Sequence, residues 1–378
     1  MEYRDILIQE KEQKVSLLGF GLMRLPTKDR KINKPLVKQM IKKAIDGGIN
    51  YFDTAYPYHN GDSELIAGEL LSEYPRDSFY LANKLPLWEC ETGEDVTRIF
   101  HEQLRKCQTS YFDFYLIHAV NKNRLKQTKE LNVINILEQL RQEGKIRNIG
   151  FSFHDDLETF KEWVELYDWD FVQIQLNYMD IDHQQGIEGY HILTNKKIPV
   201  IVMEPVKGGS LASFNTAVEE KMKQSNPESS IASWAFRWVG SLPNVRVILS
   251  GMSNMEQLED NLHTFNKFEP LKEEEHKIIE KVREELLSLS KVSCTSCNYC
   301  MPCPHGVDIP GNFKIYNHHS MYQSVKYASW AIGNLTKKQA FADMCVQCGE
   351  CLPKCPQNID IPTRLSDFEE YVEKYELK

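Results

Sequence analysis

The run INYFDTA (residues 49–55) is apolar almost throughout and carries an aspartate, Asp53, near its end. Near-continuous apolarity over so few residues is what a strand buried on both faces of a parallel sheet requires. Just before it, PLVKQMIKKAIDGG (residues 35–48) has helical spacing, with Pro35 suited to a helix start and Gly47-Gly48 to a stop. The same alternation extends outward from this pair in both directions. Seven further runs read as strands: VSLLGFG (15–21), FYLANKL (79–85), FDFYLIHA (112–119), IRNIGFSF (146–153), FVQIQLN (171–177), PVIVMEP (199–205) and VRVILSG (245–251). Segments of helical spacing lie between them, one of them at 133–143 and followed by Gly144. Eight strand–helix units over about 250 residues are the arithmetic of a (β/α)8 TIM barrel. A doubly wound open sheet is the alternative, but no GxGxxG follows the first run.

The α/β barrel region occupies residues 1–270. A charged amphipathic segment, LKEEEHKIIEKVREELLSLS (271–290), reads as a linker helix. Residues 291–378 form a cysteine-rich tail with a degenerate repeat, CPHGVDIP (303–310) and CPQNIDIP (355–362), which implies two equivalent metal-binding halves. Hydrophobic residues make up 42% and charged residues 26%, the balance of a globular protein. The net charge is −9, and the basic residues are scattered, which argues against a nucleic-acid partner. No apolar run approaches the roughly 18 residues that span a membrane. Residues 1–14 are charged and lack a signal core, so a cytoplasmic location is expected.

Eight of the ten cysteines lie in the tail. Cys345, Cys348, Cys351 and Cys355, the last followed by Pro356, have the C-x2-C-x2-C-x3-C-P spacing of a bacterial [4Fe–4S] run. Cys294, Cys297, Cys300 and Cys303 form a second run, one residue shorter before its last cysteine. Zinc is the competing metal for C-x2-C pairs, but four regular cysteines ending in Cys-Pro, twice over, favour iron–sulfur. In two-cluster ferredoxins the fourth cysteine of each run ligates the other cluster. That pattern would join Cys294, Cys297 and Cys300 with Cys355, and Cys345, Cys348 and Cys351 with Cys303. The intervening YNHHSMYQSVKYASWAIG looks helical, so the tail is expected to be a small, mostly α-helical ferredoxin-like domain.

In a barrel of this kind chemistry sits at the C-terminal strand ends. There the second, third and fourth runs place Asp53, Lys84 and His118, and Tyr58 follows in the next loop. Each has a bland reading alone, as a cap, a solvated charge, a satisfied core histidine and a packed aromatic. Three polar groups closing successive apolar strands are disfavoured in a core without a purpose. The segments LGFGLMRLP, FDTAYPYHNGDSELIAG, LANKL, DFYLIH, IRNIGFS, QIQLNY and SNMEQLEDN resemble the aldo-keto reductase family, and with the tail the chain resembles that family's ferredoxin-fused branch. The resemblance implies a catalytic tetrad at Asp53, Tyr58, Lys84 and His118. A free tyrosine, with a pKa of about 10, is a poor acid near neutrality. A nearby Lys84 ammonium is expected to lower it, with Asp53 orienting Lys84 and His118 positioning the substrate oxygen.

The same resemblance implies that Ser152 and Gln175 hold a nicotinamide carboxamide, that Met203 stands where a stacking tyrosine is common, and that Asn261 is the adenine-side residue. Gly251 and Gln257 occupy the positions where NADP-specific members carry Lys and Arg. Lys207, Gly208 and Gly209 could approach a pyrophosphate, or form an ordinary turn. The expected function is an NAD(P)H-linked oxidoreductase of a small carbonyl or alcohol, with two [4Fe–4S] clusters and a one-electron donor such as ferredoxin. FMN in place of the nicotinamide is one alternative. An electron-carrier or docking protein is another, and clusters serving only as structural staples are a third. Substrate choice falls to the loops at 86–94, 120–130 and 206–227, together with the tail.

Overall fold

In the computed structural model, which describes residues 1–378 apart from 10, 30, 215 and 295 and the side chains of 216 and 217, eight parallel strands close into a barrel. They are β1 (Leu18–Gly21), β2 (Tyr51–Asp53), β3 (Tyr80–Leu85), β4 (Phe112–Val120), β5 (Ile146–Phe153), β6 (Phe171–Gln175), β7 (Val200–Met203) and β8 (Val245–Ser250). All eight lie within or overlap the apolar runs of the sequence, and each pairs with its neighbours in chain order, β8 closing on β1. Side chains alternate across each strand. Phe52, Leu81, Tyr115, Ile117, Phe151, Val172, Val202 and Ile248 join the large outer core shared with the helices. Tyr51, Ala82, Phe114, Leu116, Phe171, Ile201 and Val247 form a separate inner cluster.

The first run is divided. Its Val15 and Ser16 end the second strand of an N-terminal hairpin, Tyr3–Ile8 paired antiparallel with Lys11–Ser16, while β1 starts at Leu18. Ile6, Ile8 and Val15 pack on the inner cluster among residues from the starts of the strands. The hairpin therefore floors the barrel and leaves the opposite mouth for chemistry. The helix Lys34–Asp46 has Asn33 as its N-cap, proline in the first turn and Gly47 at its C-cap.

By internal contacts the chain forms two units, residues 1–208 with 229–272, and residues 209–228 with 273–378. The second therefore takes in the stretch that leaves β7 as well as the tail. Within it, the helices Thr216–Ser225 and Glu273–Ser288 are joined by a Lys221–Glu285 ion pair. The helical-looking spacer is two helices, Ile309–Tyr322 and Val325–Lys337, broken where Gln323 turns left-handed at φ 52°. The sequence repeat becomes a structural one. Asp308 and Asp360 each cap a helix, accepting the Gly311 and Thr363 amides, and each helix begins Ile-Pro. Among the described residues no helix is long and apolar enough to cross a membrane.

Candidate active site

The inward alternation that includes Tyr51, Ala82 and Leu116 continues, two residues on, to Asp53, Lys84 and His118 at the mouth. Lys84 is fully buried. Its ammonium donates to Asp53 Oδ1 at 2.6 Å, to the Thr54 carbonyl at 2.9 Å and to Tyr58 Oη at 3.3 Å, which uses all three protons. Tyr58 comes from the turn Tyr58–Gly61, in which His59 and Asn60 are both left-handed. That turn is pinned by His59 Nε2, which accepts the Leu25 amide at 3.1 Å. The Tyr58 ring stands edge-on to His118 with centroids 6.1 Å apart, and Trp88 lies 5.1 Å from His118 on another side. His118 Nδ1 is buried and, among the described residues, has no hydrogen-bond partner.

The electrostatics follow from this packing. Burial works to lower the Lys84 ammonium, but Asp53 and Tyr58 hold it above the usual lysine range. For Tyr58 the expected depression is not the net result. Lys84 does pull the phenol down, but burial, with Asp53 and Glu204 adding to it, leaves it raised above 10.0. Burial, with Lys84, His154 and Arg124 nearby, drives His118 well below 6.5, so the imidazole is neutral.

A second layer, absent from the residues singled out in the sequence, fixes the strand carrying Lys84. Buried Glu64 accepts from Asn83 Nδ2 at 2.9 Å and Gln103 Nε2 at 2.8 Å. Gln103 also donates to the Lys84 carbonyl at 2.9 Å and accepts from Tyr115 Oη at 2.5 Å. These residues interrupt apolar faces of a strand and two helices, and that interruption is the signal that could have exposed them.

Ser152 and Gln175 continue the inward set on β5 and β6. Ser152 Oγ accepts the Ala119 amide at 2.8 Å, so its own hydroxyl proton is available to a ligand. Gln175 Nε2 donates to Asp180 at 2.9 Å. Asp180, missed in the sequence, also accepts from Asn177 at 3.0 Å and pairs with Lys207 Nζ at 2.5 Å. Burial works to raise the Asp180 carboxyl, but Lys207 leads the contacts that hold it below its usual range. The Lys207 charge is thus already partnered. Met203 ends β7, its sulfur accepting from Gln173 Nε2 at 3.4 Å. Gly209 belongs to the second unit.

At the end of β8, the side chain of Arg24 lies against Gly251, where a Cβ would meet it at 3.1 Å. An arginine from the β1 loop therefore covers the glycine. Gln257 accepts the Ser253 amide at 2.7 Å beside the helix Met255–Asn266, and Asn261 is buried and donates to Ser250 Oγ at 2.9 Å. Both are engaged within the protein.

In the second unit the cysteines line two cavities. Cys294, Cys297, Cys300 and Cys355 face one; Cys303, Cys345, Cys348 and Cys351 face the other, with Cys300 also on its wall. None of the eight is in a disulfide. Burial and the neighbouring sulfurs push the Cys351 thiol up to about 11. Four cysteines facing one cavity suit a centre that takes them as thiolates. Cys90 and Cys107 are buried in the barrel core.

A closed eight-stranded barrel with an ion-paired lysine and a tyrosine at its mouth defines the class of protein. Residues 17–284 match the aldo/keto reductase family, and residues 293–359 match the 4Fe-4S dicluster domain. The chain belongs to the aldo/keto reductase family and is an oxidoreductase that carries a C-terminal 4Fe-4S domain. It is 26% identical to the uncharacterized oxidoreductase YqkF of Bacillus subtilis, over 70% of this chain and 92% of that protein. It is 23% identical to the NADH-specific methylglyoxal reductase of Escherichia coli, over 67% of this chain and 90% of that one. An aldo-keto reductase from Klebsiella pneumoniae solved in complex with NADPH shares the fold, with a TM-score of 0.60 and 20% identity over 75% of this chain and 96% of that one.

Proposed function

We propose that the barrel reduces the carbonyl of a small molecule, or oxidises the matching alcohol, with NAD(P)H, and that the eight tail cysteines hold two [4Fe–4S] clusters. The observation that carries the first part is the buried Lys84 ammonium shared between the Asp53 carboxylate and the Tyr58 hydroxyl. A nicotinamide supplies a hydride, and its carboxamide would be held by Ser152 and Gln175. The remaining work belongs to the chain's own groups. Neutral His118 donates a hydrogen bond to the substrate oxygen and orients it. Tyr58 gives that oxygen its proton, and Lys84 stabilises the phenolate left behind. Asp53 keeps Lys84 charged and in place.

Each cysteine-lined cavity would hold one cluster, which supplies single electrons. The cysteine linings support crossed ligation, with Cys355 serving the first run and Cys303 the second. A one-electron donor such as ferredoxin fits this reading, and so does the cytoplasm, where thiols stay reduced.

The pH dependence follows from the two shifts. Because burial keeps Tyr58 protonated past 10.0 and His118 neutral to well below 6.5, kcat/KM for reduction should be flat between these values and fall only above pH 10. Alcohol oxidation, which needs the phenolate, should rise over that alkaline range. An inflection near pH 7 in the reduction profile would assign the proton to another group. The direct test is turnover of small aldehydes by anaerobically purified protein with NADH and with NADPH. Reduction with either supports the reading. Failure with both, together with release of FMN on denaturation, would overturn the nicotinamide assignment.

A further inference from the structure

We propose that Arg124 is the anchor for a carboxylate on the substrate, so that the barrel acts on short carbonyl compounds bearing an acid group a few bonds from the reacting carbon. This rests on the carbonyl-reductase reading above and names its substrate class.

Arg124 lies in the first turn of the helix Lys122–Glu130. Its guanidinium sits 4.9 Å from the Trp88 ring centroid, and Trp88 is in turn 5.1 Å from His118. The cation is therefore one indole away from the imidazole that faces the reacting oxygen. It is held there firmly. Nε donates to the Ala119 carbonyl at 3.1 Å, and the Arg124 amide is received by Asn121 at 3.0 Å. Gln127 on the same helix bonds the Leu87 and Cys90 carbonyls at 2.9 Å each, which ties the helix to the loop carrying Trp88.

What the cation lacks is an anion. Among the described residues no carboxylate acts on Arg124, and its side chain spends only Nε on the protein, which leaves both Nη amino groups for a ligand. Its placement is otherwise unfavourable. The first turn of that helix contains no acidic residue, and a positive charge there opposes the helix dipole. Burial lowers its pKa, so the charge is partly stripped of water. A bound carboxylate relieves all three costs, and the planar fork of an arginine stacked on an indole matches a planar carboxylate through two parallel hydrogen bonds. The net charge of −9 repels anions in general, so a preference for one requires a local site of this kind.

The test compares pentanal with 5-oxopentanoate, two aldehydes that differ in the terminal acid. The wild-type protein should favour the acid in kcat/KM, and Arg124→Gln should lower the acid-to-neutral ratio by about tenfold to a hundredfold, mainly through KM. Arg124→Lys, which keeps the charge and loses the fork, should restore part of it. In parallel, glutarate binding, followed by quenching of tryptophan fluorescence, should weaken in Arg124→Gln. An unaltered ratio in Arg124→Gln, or a wild-type preference for pentanal, would overturn the proposal while leaving Tyr58 catalysis intact. Preference for a phosphate-bearing aldehyde over 5-oxopentanoate would overturn the carboxylate assignment. Loss of turnover on both aldehydes in the wild type would instead strike the carbonyl-reductase reading.

Discussion

Tyr58→Phe should lower carbonyl reduction by about a hundredfold or more, the range lost with a general acid. The substitution keeps the ring, so its edge-on contact with His118 survives, and only the hydroxyl 3.3 Å from Lys84 Nζ is removed. The loss should appear in kcat with little change in nucleotide affinity, because the proton is needed in the transition state and not for binding. Lys84 keeps Asp53 and the Thr54 carbonyl as acceptors, so the variant should fold. Stopped-flow reduction of an aldehyde, with nucleotide titration beside it, measures both quantities. Wild-type turnover in Tyr58→Phe would remove this residue from the mechanism.

Anaerobically prepared protein should hold about eight irons and eight sulfides per chain, two clusters of four. The crossed cavities make a sharper demand. Cys297→Ser should reduce the iron to about four by loss of the cluster in the cavity that Cys297 lines. Adding Cys355→Ser should then cost nothing further, since Cys355 lines that same cavity. Adding Cys303→Ser instead should take the remaining four, since it lines the other. Iron and sulfide assays with spectra of the reduced protein read these outcomes. The reverse result, with Cys355 protecting the second run's cluster, would mean that each run is self-contained. Stoichiometric zinc without visible absorption would end the iron–sulfur assignment.

Much of the fold could be read from the chain because the relevant signals are local. Strands buried on both faces have to be apolar throughout, so a polar residue near the end of such a run stands out: Asp53, Lys84 and His118 were visible for this reason. The cysteine spacing carried the tail in the same way. The break at Gln323 was not visible, since helical spacing continues across it and only a left-handed backbone interrupts the two helices. Nor was the membership of residues 209–228, which follow a barrel strand in sequence and belong with the tail by contact.

The order of strands and helices, the inward positions of the polar residues on them and the two cysteine runs were determined by the sequence alone, because each depends on covalent spacing and the period of a strand or helix. The charge state of those residues was decided by the tertiary structure. Whether Tyr58 is lowered by Lys84 or raised by burial depends on how deeply a loop is packed, and here burial prevails. Lys207 looks like a free cation in KGG, but Asp180, 27 residues away in the chain, already holds it. Arg124 looks like one of many surface cations, but among the described residues no acid pairs with it beside Trp88 and His118. Electrostatic balance is a sum over through-space neighbours and excluded water, and neither can be known until distant segments are brought together.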